Sequence, residues 1–283
     1  DLTWDRQRLQ ALALTLQGTP RAHQLQLQAD VPQVPPLWVE TLFGQRAGPG
    51  TRATLQAEGG WRRDALGGGG LWSGRLRSLQ VTGQVRAPGA GSAAPVASPG
   101  STSSAVARWL DARDLPLEVH FTPAGGLDEL RAGAGSAQLA QHVMVRWDAV
   151  RLLLAGPRPD WTLRARLEPF AVAPLLARVQ PGMGWGGDLL LAGKLDLQVD
   201  DRLRADVAFV RASGDLTIDD AAGRTPLGLQ AARLSLQAAD GQWTFELALS
   251  GRILGDIRGR QVMRIDPAQR WPDRNAPLEG ELE

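Results

Sequence analysis

The sequence predicts an all-β protein: a long, curled, mostly sequential antiparallel sheet with one short helix near residues 170–180. Three observations carry that expectation. Apolar residues recur with period two along most of the chain. Turn-forming residues punctuate those stretches every ~8–12 residues, as all-β architectures require. Helical spacing of apolar residues is confined to one short segment.

The alternation is the strongest signal. Leu12, Leu14 and Leu16 alternate with Ala13 and Thr15, and Leu25, Leu27 and Ala29 with glutamines. The same rhythm runs through Leu115, Leu117, Val119 and Phe121, then Val143, Val145 and Trp147, then Leu163, Ala165 and Leu167. It continues through Leu195, Leu197 and Val199, through Leu234, Leu236 and Ala238, and through Trp243, Phe245, Leu247 and Leu249. Successive strand side chains point to opposite faces, so each run places one face in an apolar setting and the other in water.

Turns are expected at Gln17-Gly18-Thr19-Pro20, Gly48-Pro49-Gly50, Gly59-Gly60, Pro123-Ala124-Gly125-Gly126, Asp219 to Gly223, and Asp240-Gly241. Asp-Gly tolerates the positive φ angles of a tight hairpin. The paired acids Asp128-Glu129, Asp200-Asp201 and Asp219-Asp220 are also expected in turns, where carboxylates bond local backbone. Roughly sixteen strands about 4.8 Å apart would make a sheet of order 75 Å, which must curl, close or pack on something.

Two segments break the rhythm. Residues 87–105 hold Ala, Gly, Ser and Pro with one Val and no charge, the composition of a flexible loop. They separate a first β segment, 1–86, from a second, 106–283, continuous with it. Over 170–180, Val172, Leu175, Leu176 and Val179 take helical spacing; Pro174 falls early, where a helix tolerates it, and Pro181-Gly182 ends the run. Pro32 to Trp38 reads as a second irregular or helical piece.

Composition narrows the function. Net charge is +1, which calls for no nucleic acid. There is no Cys, so thiolate metal sites and disulfides are excluded. His23, His120 and His142 are scattered and read as solvated strand residues. Gly187 to Lys194 imitates a phosphate loop, but the spacing is one residue too long and Leu195 stands where Ser or Thr is needed. Gly67 to Gly70 reads as a loop, and no Gly-x-Ser-x-Gly elbow occurs. No enzyme, metal or cofactor is expected. No run of ~18 apolar residues is present to span a membrane as a helix. Asp1 to Gln10 lack the plan of a signal peptide, and both ends read as cuts in a longer protein.

The apolar phase is therefore the candidate site. Its lining residues are Leu25, Leu27, Leu117, Val119, Phe121, Val143, Val145, Leu163, Leu167, Leu195, Leu197, Leu234, Leu236, Phe245 and Leu247. An acyl chain is its natural ligand, since each buried CH₂ gains about 0.8 kcal/mol without any polar contact. Most of the ten tryptophans read as packing at sheet edges, with some lining a groove or closing its rim. A transmembrane barrel fits less well: there is no Tyr for aromatic girdles, and the polar phase is rich in Arg, Asp and Gln.

Specific stretches carry a resemblance. They are Leu167-Glu168-Pro169-Phe170, Val172-Ala173-Pro174-Leu175-Leu176-Ala177-Arg178 and Gln180-Pro181-Gly182-Met183-Gly184-Trp185-Gly186-Gly187-Asp188-Leu189. Gly214-Asp215-Leu216-Thr217-Ile218, Leu227-Gly228-Leu229, Asp240-Gly241-Gln242-Trp243, Arg270-Trp271-Pro272 and Pro277 to Leu282 follow, with Trp72-Ser73-Gly74-Arg75-Leu76 upstream. Together they resemble TamB, the translocation and assembly module subunit family of proteobacteria, most specifically over 161–283. The resemblance implies an inner-membrane-anchored, AsmA-like protein related to bridge-like lipid carriers, with a folded-over sheet (a β-taco) crossing the periplasm of a Gram-negative cell. It implies phospholipid acyl chains as cargo, moved toward the outer membrane. An alternative role is assembly of outer-membrane or autotransporter β-barrels alongside TamA, a BamA-like barrel met through regions outside residues 1–283. Membrane contact would come through the full-length protein.

Overall fold

The computed structural model describes residues 3–4, 7–8, 11–31, 47–63, 69–85, 105–139, 143–154, 156, 159–200, 202–220, 223–265 and 278–282. Most of the 87–105 loop, the Pro32 to Trp38 piece, Gly67, His142 and Arg270-Trp271-Pro272 lie outside the described residues.

The chain is almost entirely strand. In order these are β1 (Thr3–Trp4), β2 (Gln7–Arg8), β3 (Ala11–Thr19), β4 (Ala22–Val31), β5 (Ala47–Arg63), β6 (Gly70–Val85), β7 (Ala105–Phe121), β8 (Leu127–Ala132), β9 (Gly135–Leu139) and β10 (Val143–Leu153). There follow β11 (Asp160–Ala171), helix α1 (Ala173–Val179), β12 (Trp185–Gly187), β13 (Leu190–Val199), β14 (Leu203–Ser213), β15 (Leu216–Asp220) and β16 (Gly223–Pro226). The last four are β17 (Leu229–Ala239), β18 (Gln242–Gly251), β19 (Gly255–Arg264) and β20 (Leu278–Leu282).

Fifteen strands form one antiparallel sheet, in near-sequential order from β3 to β20. This is the long, curled all-β sheet the alternation predicts. Its path is open, with β3 and β20 at its two ends among the described residues. Twenty strands are described against the expected sixteen, because β1 and β2 pair apart from the large sheet, β8 and β9 share one position between β7 and β10, and β12, β15 and β16 form a small sheet of their own. The chain exposes 18705 Å², against roughly 11,800 Å² for a compact monomer of this mass.

Two expected turns are strand instead. Gly48-Pro49-Gly50 and Gly59-Gly60 all lie within β5. The first sits at a break in register between Ala47 and Thr51, where Gly50 takes φ +106°. The second supplies space rather than a turn. A β-carbon on Gly59 would overlap the Trp72 ring, and one on Gly60 would overlap the Arg21 carbonyl. The same device recurs: Trp61 lies over Gly70, Trp109 over Gly83 and Trp147 over Gly135. Rings laid across cross-strand glycines shield backbone that glycine leaves bare. They explain why this chain is rich in both residue types.

Helix α1 is shorter than expected, starting after Val172, whose N–H donates to the Leu189 carbonyl at 3.1 Å. At the other end of the chain Asp240 (φ +50°) and Gly241 (φ +78°) make the expected hairpin between β17 and β18. Asp128 and Glu129, expected in a turn, belong to β8.

The divided position at β8 and β9 marks a kink. Register breaks between Trp147 and Val150 in β10, and Asp114 in β7 takes φ +54°. Such bulges bend the strand that carries them. Two buried carboxylates brace the kink. Asp111 accepts from Arg113 at 3.0 Å and from Arg108 at 2.9 Å. Glu129 pairs with Arg151 and, at 2.9 Å, with Arg131. The Arg113 hydrogen bond, opposed by burial and aided by Arg108, holds Asp111 below its ordinary carboxylate value. Burial alone would raise Glu129, but Arg131 and Arg151 outweigh it and hold it low as well.

Depressed folded-state values stabilise the fold above the ordinary carboxylate range, and that contribution is lost as pH falls through the range. We therefore expect the urea midpoint to drop with acidification below that range. The double variant Asp111→Asn, Glu129→Gln should be less stable at neutral pH and show a flatter acid slope. An unchanged slope would remove these pairs as the brace.

Candidate functional site: an apolar face with a concave end

Register decides which side chains share a face. Leu14, Leu27, Leu55, Leu79, Ala112, Ala137, Val145, Leu167, Gly193, Phe209, Leu234, Leu247, Gly259 and Leu282 are successive cross-strand partners. This row crosses every position of the sheet without one polar residue. The path has fourteen strands and hence thirteen steps, so the row runs about 62 Å at about 4.8 Å a step. A parallel row reads Leu117, Ala132, Val150, Leu163, Leu197, Ala205, Ala238, Trp243, Met263 and Leu278.

The opposite face is polar in register too. Arg146, Arg166, Lys194, Ala208, Ser235, Glu246, Arg260 and Glu281 are partners in turn. Pairs such as Arg164–Asp196 at 3.1 Å lie on this side. Exposed pairs of this kind add little stability; they mark which face meets water.

All fifteen candidate residues named from the sequence fall on the apolar face. Leu25, Leu27 and Leu117 lie in its first half with Val119 and Phe121; Val143, Val145, Leu163 and Leu167 lie past the kink; Leu195, Leu197, Leu234, Leu236, Phe245 and Leu247 lie beyond. The face is not uniform. Its ends are open: Leu14 is 60% exposed and Leu234 40%. Its middle is closed: Leu76 and Leu115, partners across β6 and β7, are 3% and 6% exposed. Trp72 and Trp147 pack against this cluster, and the Trp147 Nε1–H donates to the Gly133 carbonyl at 3.0 Å.

Toward β20 the apolar face hollows into a cavity of about 750 Å³. Val207 and Phe209 of β14, Leu234 and Leu236 of β17, and Phe245 and Leu247 of β18 line its apolar side; Gly259, Gln261 and Gly280 continue it, and Ser235, Glu246, Arg260 and Glu281 of the polar phase complete the lining. Val207 and Phe209 are not among the fifteen candidates, yet Leu203, Ala205, Val207 and Phe209 alternate as plainly as the candidate strands. Phe209 lies over its partner Gly193; a β-carbon there would sit 2.9 Å from Phe209 Cε1 and 3.1 Å from Leu167 Cδ1.

Two packed walls flank this stretch. On one side α1 and the small sheet of β12, β15 and β16 pack around Phe170, Leu191, Leu229 and Ala232. On the other, Trp161 and Trp243 pack against Val199, Leu203, Ala205 and Ala238. The first wall hangs on two Gly-Asp-Leu segments. The Asp188 and Leu189 N–H groups both donate to the Asp215 carbonyl at 2.9 Å, and the Asp215 N–H donates to Asp188 Oδ1 at 2.9 Å. The Asp215 carboxylate also accepts from the Leu216, Gly228 and Leu229 N–H groups. Gly187 (φ +101°) and Gly214 (φ +78°) allow the two segments to cross. The stretch that imitates a phosphate loop is therefore a join between sheets.

The histidines are less solvated than expected. His23 Nε2 accepts from Trp72 Nε1 at 2.8 Å, and His120 is half-buried with no protein partner for Nε2. Among the described residues no group of His, Asp or Glu could hold a metal ion, and no helix is long and apolar enough to cross a membrane. Comparison with protein-family models, curated proteins and solved structures gives no match.

Filling the groove floor gives a direct test of the cavity. Gly193→Val should lift the Phe209 ring into it and weaken binding of a fluorescent fatty acid about tenfold, the equivalent of two lost methylene contacts. Ala248→Val, on the exposed polar phase of β18, should leave binding unchanged. Equal affinities for both variants would place the probe elsewhere.

Proposed function

We propose that this chain is a non-catalytic, hydrophobic-groove module that carries phospholipid by its acyl chains between the inner and outer membranes of a Gram-negative envelope, working in the periplasm as part of an anchored TamB-like protein. The observation that carries this reading is the unbroken apolar row through every position of an open sheet. Along the open stretches of this row, aliphatic contacts hold a hydrocarbon chain without any polar partner, and about 0.8 kcal/mol per methylene is regained as it shifts from one contact to the next. That is the energy profile a sliding ligand needs. The polar phase keeps the back of the sheet hydrated. The TamB-like stretches, two of which form the Gly-Asp-Leu crossing, are consistent with the same role.

A second reading rests on a different feature. Among the described residues β3 ends the sheet, with every one of its residues exposed, including Leu12, Leu14 and Leu16. An exposed edge can add a strand by β-augmentation, as an assembly module for outer-membrane barrels acting with TamA would require.

Native mass spectrometry with lipid extraction separates the two. The transport reading expects co-purified phospholipid, largely lost in Leu195→Asp and in Leu247→Asp, where a carboxylate enters the apolar face. A lipid-free chain that instead captures outer-membrane strand peptides would replace transport with assembly.

A further inference from the structure

A second cavity, of about 1350 Å³, lies where the tip of the β3–β4 hairpin meets the ends of β5 and β6. It gathers Arg21, Arg62, Arg63 and Arg75, with one carboxylate, Glu58. That carboxylate is already engaged by Arg77 at 2.5 Å. None of the four lining arginines has a carboxylate partner among the described residues. Arg62 donates to Ser73 Oγ at 3.0 Å and Arg75 to the Asp114 carbonyl at 3.1 Å, so each keeps further N–H groups free.

The position is fixed by backbone. The Trp61 N–H donates to the Pro20 carbonyl at 2.7 Å, tying the hairpin tip to β5. Gly60 has no side chain to hold the Arg21 backbone away. Cross-strand pairing sets Glu58 opposite Arg75 and Gly60 opposite Ser73, which places Arg62 and Arg75 on the same polar face. In a chain of net charge +1, Arg62 and Arg75 on one face, with Arg21 at the hairpin tip and no acid partner for any of the three among the described residues, form a local anion trap. Guanidinium forks match phosphate oxygens in bidentate geometry.

From this arrangement we infer that the cavity is a binding site for a phosphate group, with Arg62 and Arg75 as its principal ligands and Arg21 adding charge from the hairpin tip. The site stands apart from the apolar groove and does not depend on what the groove carries. The phosphate can come from a lipid headgroup at a membrane surface or from a soluble phosphate compound.

The test uses the full chain with two probes, inorganic pyrophosphate by calorimetry and phosphatidylglycerol vesicles by flotation. Saturable binding that falls with added salt is expected. Arg62→Gln with Arg75→Gln should weaken it about tenfold or more. Arg233→Gln with Arg258→Gln removes the same charge elsewhere on the polar face and should change it less than about twofold. Circular dichroism should be unchanged for both. Binding of vesicles alone assigns the phosphate to a headgroup; binding of both probes shows that phosphate suffices. No binding of either probe, or equal loss in the two double variants, overturns the site.

Discussion

Cross-strand pairing joins residues of equal phase, so one slip of a single residue in any strand would carry its leucines to the wet face and its arginines and glutamines to the dry one. Here that constraint is met at every position from β3 to β20. The groove, its walls and the polar back all follow from it. Register also breaks inside strand pairs, as between Gln56 and Ala57 and between Val81 and Thr82, and three breaks coincide with changes of path: at Gly50, at the β8–β9 kink, and between Leu167 and Phe170, just before the chain leaves for α1. The phase of the apolar row survives each of these, because Val145 and Leu167 remain partners beyond the kink.

Glycine and aromatic residues shape the face that register creates. A row of leucines alone would stand at one height. Rings laid over Gly59, Gly83, Gly135 and Gly193 lower the surface in some places and bury backbone in others. At the middle of the sheet Trp72 and Trp147 pack with Leu76 and Leu115 into a closed cluster. Toward β20 the glycines at 259 and 280 leave a hollow. Residue size thus divides one continuous chemical surface into a packed centre and open ends.

Much of this was legible in the sequence, because period two is a local property. The strands, the Asp240-Gly241 hairpin and the helix after Val172 follow from spacing and turn chemistry. The misreadings have a common cause. Gly59-Gly60 was read as a turn because the same letter serves conformational freedom and empty space, and only the tryptophan on the next strand tells them apart. The sequence around Glu129 reads as a turn because its partners, Arg131 and Arg151, come together only through pairing of β8 with β10. The departure of β15 and β16 into their own sheet depends on Asp215 bonding backbone at Gly228 and Leu229, a contact no local pattern announces. Val207 and Phe209 were visible as alternation, but their place in the cavity required the neighbours of β14 to be known.

If the proposed lipid transport holds, the apolar face of this sheet meets hydrocarbon wherever it is open, and the polar face does not. Photo-crosslinking amino acids placed singly in living cells test it most directly. Sites on the open parts of the apolar row would be Leu14, Leu27, Leu234 and Leu247; matched sites on the polar phase would be Thr15, Gln26, Ser235 and Glu246. Lipid adducts at every apolar-row site and at none of the polar sites are the predicted result. Adducts confined to one end of the row, or equal on the two faces, would contradict it.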